Sequence, residues 1–132
     1  MEERRFRAVK AYKNEAFLNS QEARSLRILS EYLEPESRFE ELRIQDTIVV
    51  FGSSRILSRE EASVRLAEAE RTGKDLERVR KQYELSRYYE DTRALAGRLT
   101  TWSKGLSGTD RRFVICSGGG PGIMEAANRG AS

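Results

Sequence analysis

The chain has 132 residues, 38% of them hydrophobic and 34% charged, with a formal net charge of +3. That length suits one modest domain, and charges of both signs interleave, as in Glu2-Glu3-Arg4-Arg5, instead of forming the basic stripe of a nucleic-acid binder. With no histidine and a single cysteine, Cys116, the sequence excludes histidine-based triads and an internal disulfide, and no metal site is expected.

No apolar run approaches the roughly 20 residues that span a bilayer, and the charged N-terminus lacks the apolar core of a secretory signal. A lone cysteine fits a reducing compartment. The expectation is a soluble, cytoplasmic protein without membrane or nucleic-acid partners.

In chain order, residues 2–18 place Phe6, Val9, Tyr12, Ala16 and Phe17 at helical intervals and predict an amphipathic helix or arm. Asn19 or Ser20 is positioned to cap a second helix that carries Ala23, Leu26, Leu29 and Leu33 on one face and stops at Pro35. Ser37 and Glu40 have capping-box spacing for a short helix ending near Leu42.

Residues 46–51, Asp-Thr-Ile-Val-Val-Phe, form a β-branched and aromatic run, which predicts a strand buried on both faces of a parallel sheet. Ser58 and Glu61 open a helix with Ala62, Leu66 and Ala69 inward, and Gly73 ends it. Residues 74–99 predict one long helix whose apolar face holds Leu76, Val79, Tyr83, Tyr88, Leu95 and Leu99. After a loop with Gly105, Gly108 and Asp110, residues 112–117 repeat the buried-strand pattern. A glycine-rich turn follows, then a helix over 121–129 with Pro121 in its first turn and Gly130 closing it.

Strands alternating with helices argue for an α/β fold with a parallel sheet. A helical extension over residues 1–44 would precede a sheet domain over 45–132. Two strands make a small sheet, so the chain reads as a truncated part of a larger domain, and whether Ser132 is the true C-terminus is not fixed by the sequence.

Two loops carry the candidate chemistry. Ser117-Gly118-Gly119-Gly120-Pro121-Gly122 joins a strand to a helix. Glycines there let the backbone approach an anion, and the helix start offers N–H donors and a favourable dipole. Ile123 stands where the strict dinucleotide fingerprint has its third glycine, so a standard NAD site is not indicated. The second loop, Gly52-Ser53-Ser54-Arg55, follows the first strand and offers hydroxyls and a guanidinium. In an open parallel sheet, both loops lie at the carboxyl ends of strands, where ligands bind.

Together, Val49-Val50-Phe51-Gly52-Ser53-Ser54-Arg55 and Cys116-Ser117-Gly118-Gly119-Gly120-Pro121-Gly122-Ile123-Met124-Glu125-Ala126-Ala127-Asn128-Arg129-Gly130-Ala131 resemble the Lonely Guy (LOG) family, above all its larger bacterial branch. The resemblance covers residues 47–131 and extends only to the N-terminal half of such an enzyme. It implies a homodimeric Rossmann-like phosphoribohydrolase that needs no cofactor. Such an enzyme cleaves AMP or a cytokinin riboside monophosphate to the free base and ribose 5-phosphate.

The resemblance places the nucleoside 5′-monophosphate on Gly52, Ser53, Ser54, Gly118, Gly119, Gly120, Gly122 and Met124, with Arg55 and Glu125 beside them. The family's later Arg-Lys segment and Pro-Gly-Gly-x-Gly-Thr-x-x-Glu motif do not occur in these 132 residues, so no catalytic residue is assigned. The alternatives are a non-catalytic nucleotide- or cofactor-binding module and a degenerate structural partner of a complete subunit.

Overall fold

The computed structural model describes residues 9–132. Two compact units divide the chain between Leu42 and Arg43. Phe6, expected on the first helix, lies outside the described residues.

Among the described residues of the first unit, the stretch up to residue 18, expected as an amphipathic helix or arm, consists of short pieces. A 3-10 turn, Ala11–Lys13, is followed by α1, Glu15–Leu18. Asn14 interrupts them because its side chain caps α1, accepting from the Phe17 N–H at 3.2 Å. Helix α2 then runs Arg24–Glu41 with Ala23 at its N-cap, so neither Asn19 nor Ser20 caps it. Pro35 lies inside α2 and does not end it. A proline removes one backbone donor, and the segment after it, Glu36-Ser37-Arg38-Phe39-Glu40-Glu41, is rich in good helix formers. Glu34 pairs with Arg38 one turn on, across the proline. Ser37, helical itself, therefore opens no new helix.

The second unit is built on two parallel strands, β1 (Thr47–Val50) and β2 (Val114–Ser117), in register Thr47↔Val114 to Val50↔Ser117. Between them run α3 (Arg59–Thr72), α4 (Leu76–Leu85) and α5 (Arg87–Lys104), and α6 (Ile123–Ala131) follows β2. The result is a mixed helix-and-strand unit with a small parallel sheet flanked by helices. Of these, α5 and α6 pack on each other and on β2.

Both strands are shorter than their apolar runs. Phe113 adopts a left-handed backbone (φ 54°), which breaks the extended conformation until Val114. The ends are tied instead by a bridge between Ile44 and Arg111 and by an ion pair between Arg112 and Asp46. Burial on both faces is not found for β1. Val49 is 50% exposed and Phe51, on the same side, 78%. A sheet of two strands leaves one face of β1 without a covering layer.

Helix α3 follows its sequence signals. The Ser58 hydroxyl accepts from the Glu61 N–H at 3.2 Å, Ala62 and Ala69 are buried, and Gly73 ends the helix at φ 71°. The long helix over 74–99 is split at Ser86. That buried hydroxyl donates to the Tyr83 carbonyl at 2.6 Å, a local bond that competes with the helical ladder. The buried positions Val79, Ser86, Tyr89 and Ala96 keep one helical stripe through the turn, so Tyr89 and Ala96 face inward while Tyr88 and Leu95, each one residue off that stripe, are exposed.

Among the described residues the buried apolar side chains of this unit are mainly alanines: Ala62, Ala69, Ala96, Ala126 and Ala127, with Val79 and Tyr89. Small side chains let helices approach closely. A Cβ on Gly130 would lie 2.1 Å from the Arg93 carbonyl oxygen and 3.0 Å from the Ala96 Cβ. Gly130 is thus a helix-crossing residue inside α6, not the helix-closing glycine expected. Pro121 likewise precedes the N-cap, Gly122, and sits outside the helix.

Candidate functional site

Parallel strands send their carboxyl ends the same way. Val50 and Ser117 are register partners, so the loops after them start side by side. The Ile123 N–H donates to the Ser53 carbonyl at 3.2 Å, joining the glycine turn to the first loop. Distant in sequence, Gly52-Ser53-Ser54-Arg55 and 118–122 thus form one surface.

Contact between the loops accounts for two of the glycines. Gly122 is buried with φ 76° and ψ −127°, and a Cβ there would lie 2.3 Å from the Ser53 carbonyl oxygen. A Cβ on Gly52 would lie 2.3 Å from the Ile123 side chain. Gly119 has a different reason: its φ is 71° with open space around the missing Cβ. Gly118 and Gly120 lie under the Met124 side chain, whose Cε would meet a Gly120 Cβ at 2.7 Å. Met124 therefore closes over the turn instead of pointing away from it.

The turn is braced from behind. The Ser117 hydroxyl lies 2.9 Å from the Asn128 side-chain carbonyl and accepts from the Gly119 N–H at 3.2 Å. Sequence reading did not single out this clasp. Its one signal is a hydroxyl at the last strand position before the glycines. On the other loop, the Ser53 hydroxyl accepts from the Arg55 N–H at 3.2 Å, shaping a Ser turn.

The electrostatics of this end are mixed. The Arg55 side chain is exposed, with no ion pair or hydrogen bond among the described residues. Arg129 is engaged: it donates to the Tyr89 hydroxyl at 3.2 Å and faces the Glu125 carboxylate at 3.6 Å. The Tyr89 hydrogen bond, and then Glu125, raise the Arg129 pKa above its already high value, so its charge is fixed. Arg59 is also spoken for, donating to the Tyr83 carbonyl at 3.0 Å and stacking on that ring.

A pocket of about 250 Å3 opens beside the loop junction, lined among others by Ser54, Ser58, Glu61, Tyr89, Gly122, Glu125 and Arg129. That volume admits a phosphate or a sugar but falls below the roughly 300–1,000 Å3 of sites for whole small ligands. Larger openings lie elsewhere: about 1070 Å3 along α5 and the end of α6, and about 780 Å3 below the start of β2. Neither contains a residue of the two glycine-bearing loops.

The structure thus brings Gly52, Ser53, Ser54, Arg55, Gly118, Gly119, Gly120, Gly122, Met124 and Glu125 to one end of the sheet. Within that end, Ser54, Gly122 and Glu125 reach the small pocket. Gly118 and Gly119 lie on the exposed crest of the turn. Cys116, half-buried in β2 opposite Val49, belongs to the strand. Among the described residues no cluster of carboxylates and thiols is arranged to hold a metal ion, and no helix is long and apolar enough to cross a membrane. Compared with known protein families, curated proteins and solved structures, the chain finds no match.

Proposed function

We propose that residues 43–132 hold the phosphate end of a nucleoside 5′-monophosphate, as the nucleotide-binding part of a Rossmann-like phosphoribohydrolase of the LOG type. The observation that carries this reading is the junction of the two glycine-bearing loops at the carboxyl ends of adjacent parallel strands, closed by the Ile123-to-Ser53 hydrogen bond. The resemblance of both loops to that family supplies the choice of ligand.

The roles follow from chemistry. The Ile123 N–H is spent on Ser53, so the N–H groups of Met124 and Glu125 are the remaining donors of the first helical turn. Arg55 supplies mobile positive charge. Glu125 is a poor phosphate ligand, since its carboxylate repels the anion; it suits a ribose hydroxyl, from which it accepts a hydrogen bond. Met124 covers the turn and moves aside or packs on the sugar.

Cleavage of the glycosidic bond is assigned to none of these residues. The resemblance puts it on the Arg-Lys segment and the Pro-Gly-Gly-x-Gly-Thr-x-x-Glu motif, which this sequence lacks. The second reading, a non-catalytic nucleotide-binding module, places the same phosphate at the same loops. The LOG reading also implies a homodimer and no cofactor.

The test is calorimetric titration with AMP, ribose 5-phosphate and adenosine. AMP and ribose 5-phosphate should bind and adenosine should not, with Arg55→Ala weakening both phosphates several-fold. No release of ribose 5-phosphate is expected from this chain. Failure of both phosphates to bind at millimolar concentration, or equal binding of adenosine, would overturn the phosphate assignment.

A further inference from the structure

The small pocket beside the loop junction contains a buried donor that the fold leaves unspent. Tyr89 is only 1% exposed, and its hydroxyl accepts a hydrogen bond from Arg129 at 3.2 Å. A guanidinium has donors and no acceptor, so the Tyr89 proton plays no part in that bond. No acceptor for it occurs among the described residues. A buried hydroxyl proton without an acceptor is costly, and such a group in a pocket points to a ligand oxygen. Tyr89 and Arg129 both line this pocket of about 250 Å3, together with Ser54, Ser58, Glu61 and Glu125.

The other polar groups narrow the chemistry of that ligand. The Ser58 hydroxyl accepts from the Glu61 N–H at 3.2 Å and keeps its own proton to give. The Glu61 carboxylate is drawn to Arg65 at 2.7 Å. Glu125 faces only Arg129, at 3.6 Å, and so retains acceptor capacity.

The charges disfavour an anion here. Two carboxylates and one guanidinium line the pocket, and Glu60 adds to the negative field around Arg129. A phosphate beside Arg129 would meet the Glu125 carboxylate as well. A hydroxyl group satisfies both kinds of partner: its oxygen accepts from Tyr89 or Arg129, and its proton goes to Glu125. Two adjacent hydroxyls on a sugar ring do so twice. Ser54 and Gly122 belong to the pocket and to the loop junction alike, so a sugar here is continuous with a phosphate at the glycine turn.

We propose that this pocket takes the 2′,3′-diol of a ribose, with Tyr89 donating to it and Glu125 accepting from it. The inference rests on the phosphate reading above and adds the place of the sugar to it.

Calorimetric titration with AMP and 2′,3′-dideoxy-AMP isolates the diol, since the two share phosphate and base. AMP should bind about tenfold more tightly, the worth of one hydrogen bond to a charged group. Tyr89→Phe removes the donor and keeps the ring. Glu125→Gln removes the charge and keeps the shape. Each should cut the ratio of the two affinities to roughly threefold. A merely structural role would lower the midpoint of unfolding, or weaken both nucleotides alike, and leave the ratio unmoved. Glu125 is half exposed, so Glu125→Gln reads the ratio even if Tyr89→Phe loses stability. Equal binding of the two nucleotides, or a ratio that Glu125→Gln does not move, overturns the sugar assignment and leaves the phosphate one standing. Binding of neither nucleotide overturns both.

Discussion

Glycines in one short turn carry different physical burdens. Gly119 has a left-handed φ of 71° and nothing around its missing Cβ, so a substitution meets only the backbone penalty. Gly122 combines φ 76° with a backbone carbonyl 2.3 Å from where a Cβ would sit. Gly119→Ala should therefore cost about 1–2 kcal/mol. Gly122→Ala should cost roughly 3 kcal/mol or more, because an overlap with rigid backbone adds to that penalty. Thermal denaturation of the two variants checks the order, and equal losses would remove the loop contact as the reason for Gly122. The sequence showed that this turn was unusual. It did not show which glycine answers to a neighbour, since Ser53 reaches Gly122 only once the strands have paired.

Elements follow their sequence signals where the determinants are local. Ser58 and Gly73 bound α3 as expected, because a capping hydroxyl and a left-handed glycine act within a few residues of the helix. Pro35 and Gly130 were misread for the opposite reason. A proline ends a helix only when the following residues favour another conformation, and those after Pro35 do not. Gly130 looks like a helix stop in sequence, but its role is set by α5, whose Arg93 carbonyl lies against it. Two effects compete in Gly130→Ala. Helix propensity favours alanine by about 1 kcal/mol, while overpacking at the α5 crossing costs about 1–3 kcal/mol. The crossing should win, lowering the midpoint of unfolding. A variant more stable than the parent would show that α6 moves off α5 without loss.

Among the described residues, alanines dominate the buried set while many larger apolar side chains stay half or more exposed, Leu26, Val49, Phe51, Val64, Leu95 and Trp102 among them. Unfolding then exposes less new apolar surface than a fully packed chain of this length would. The dependence of stability on urea scales with that surface. Its slope, measured at low protein concentration, should fall below the value usual for 132 residues. A slope typical of that length would mean the apolar surface is covered in solution. If the phosphate site operates, AMP at about a hundred times its dissociation constant should add about 2.7 kcal/mol to stability, visible as a rise in midpoint that adenosine does not give.

The sequence by itself determined the parallel pair of strands, helix α3 and the placing of both glycine-bearing loops at strand ends, but not the division of the next helical stretch into α4 and α5. Hydrophobic period, capping residues and turn glycines are local signals and survive without a partner. Tertiary structure alone decided that Ile123 bonds Ser53, that Ser117 clasps Asn128, that Tyr89 and not Tyr88 is buried, and that β1 keeps one face bare. Each depends on which atoms meet across the fold: one step along the helix separates the buried Tyr89 from the exposed Tyr88.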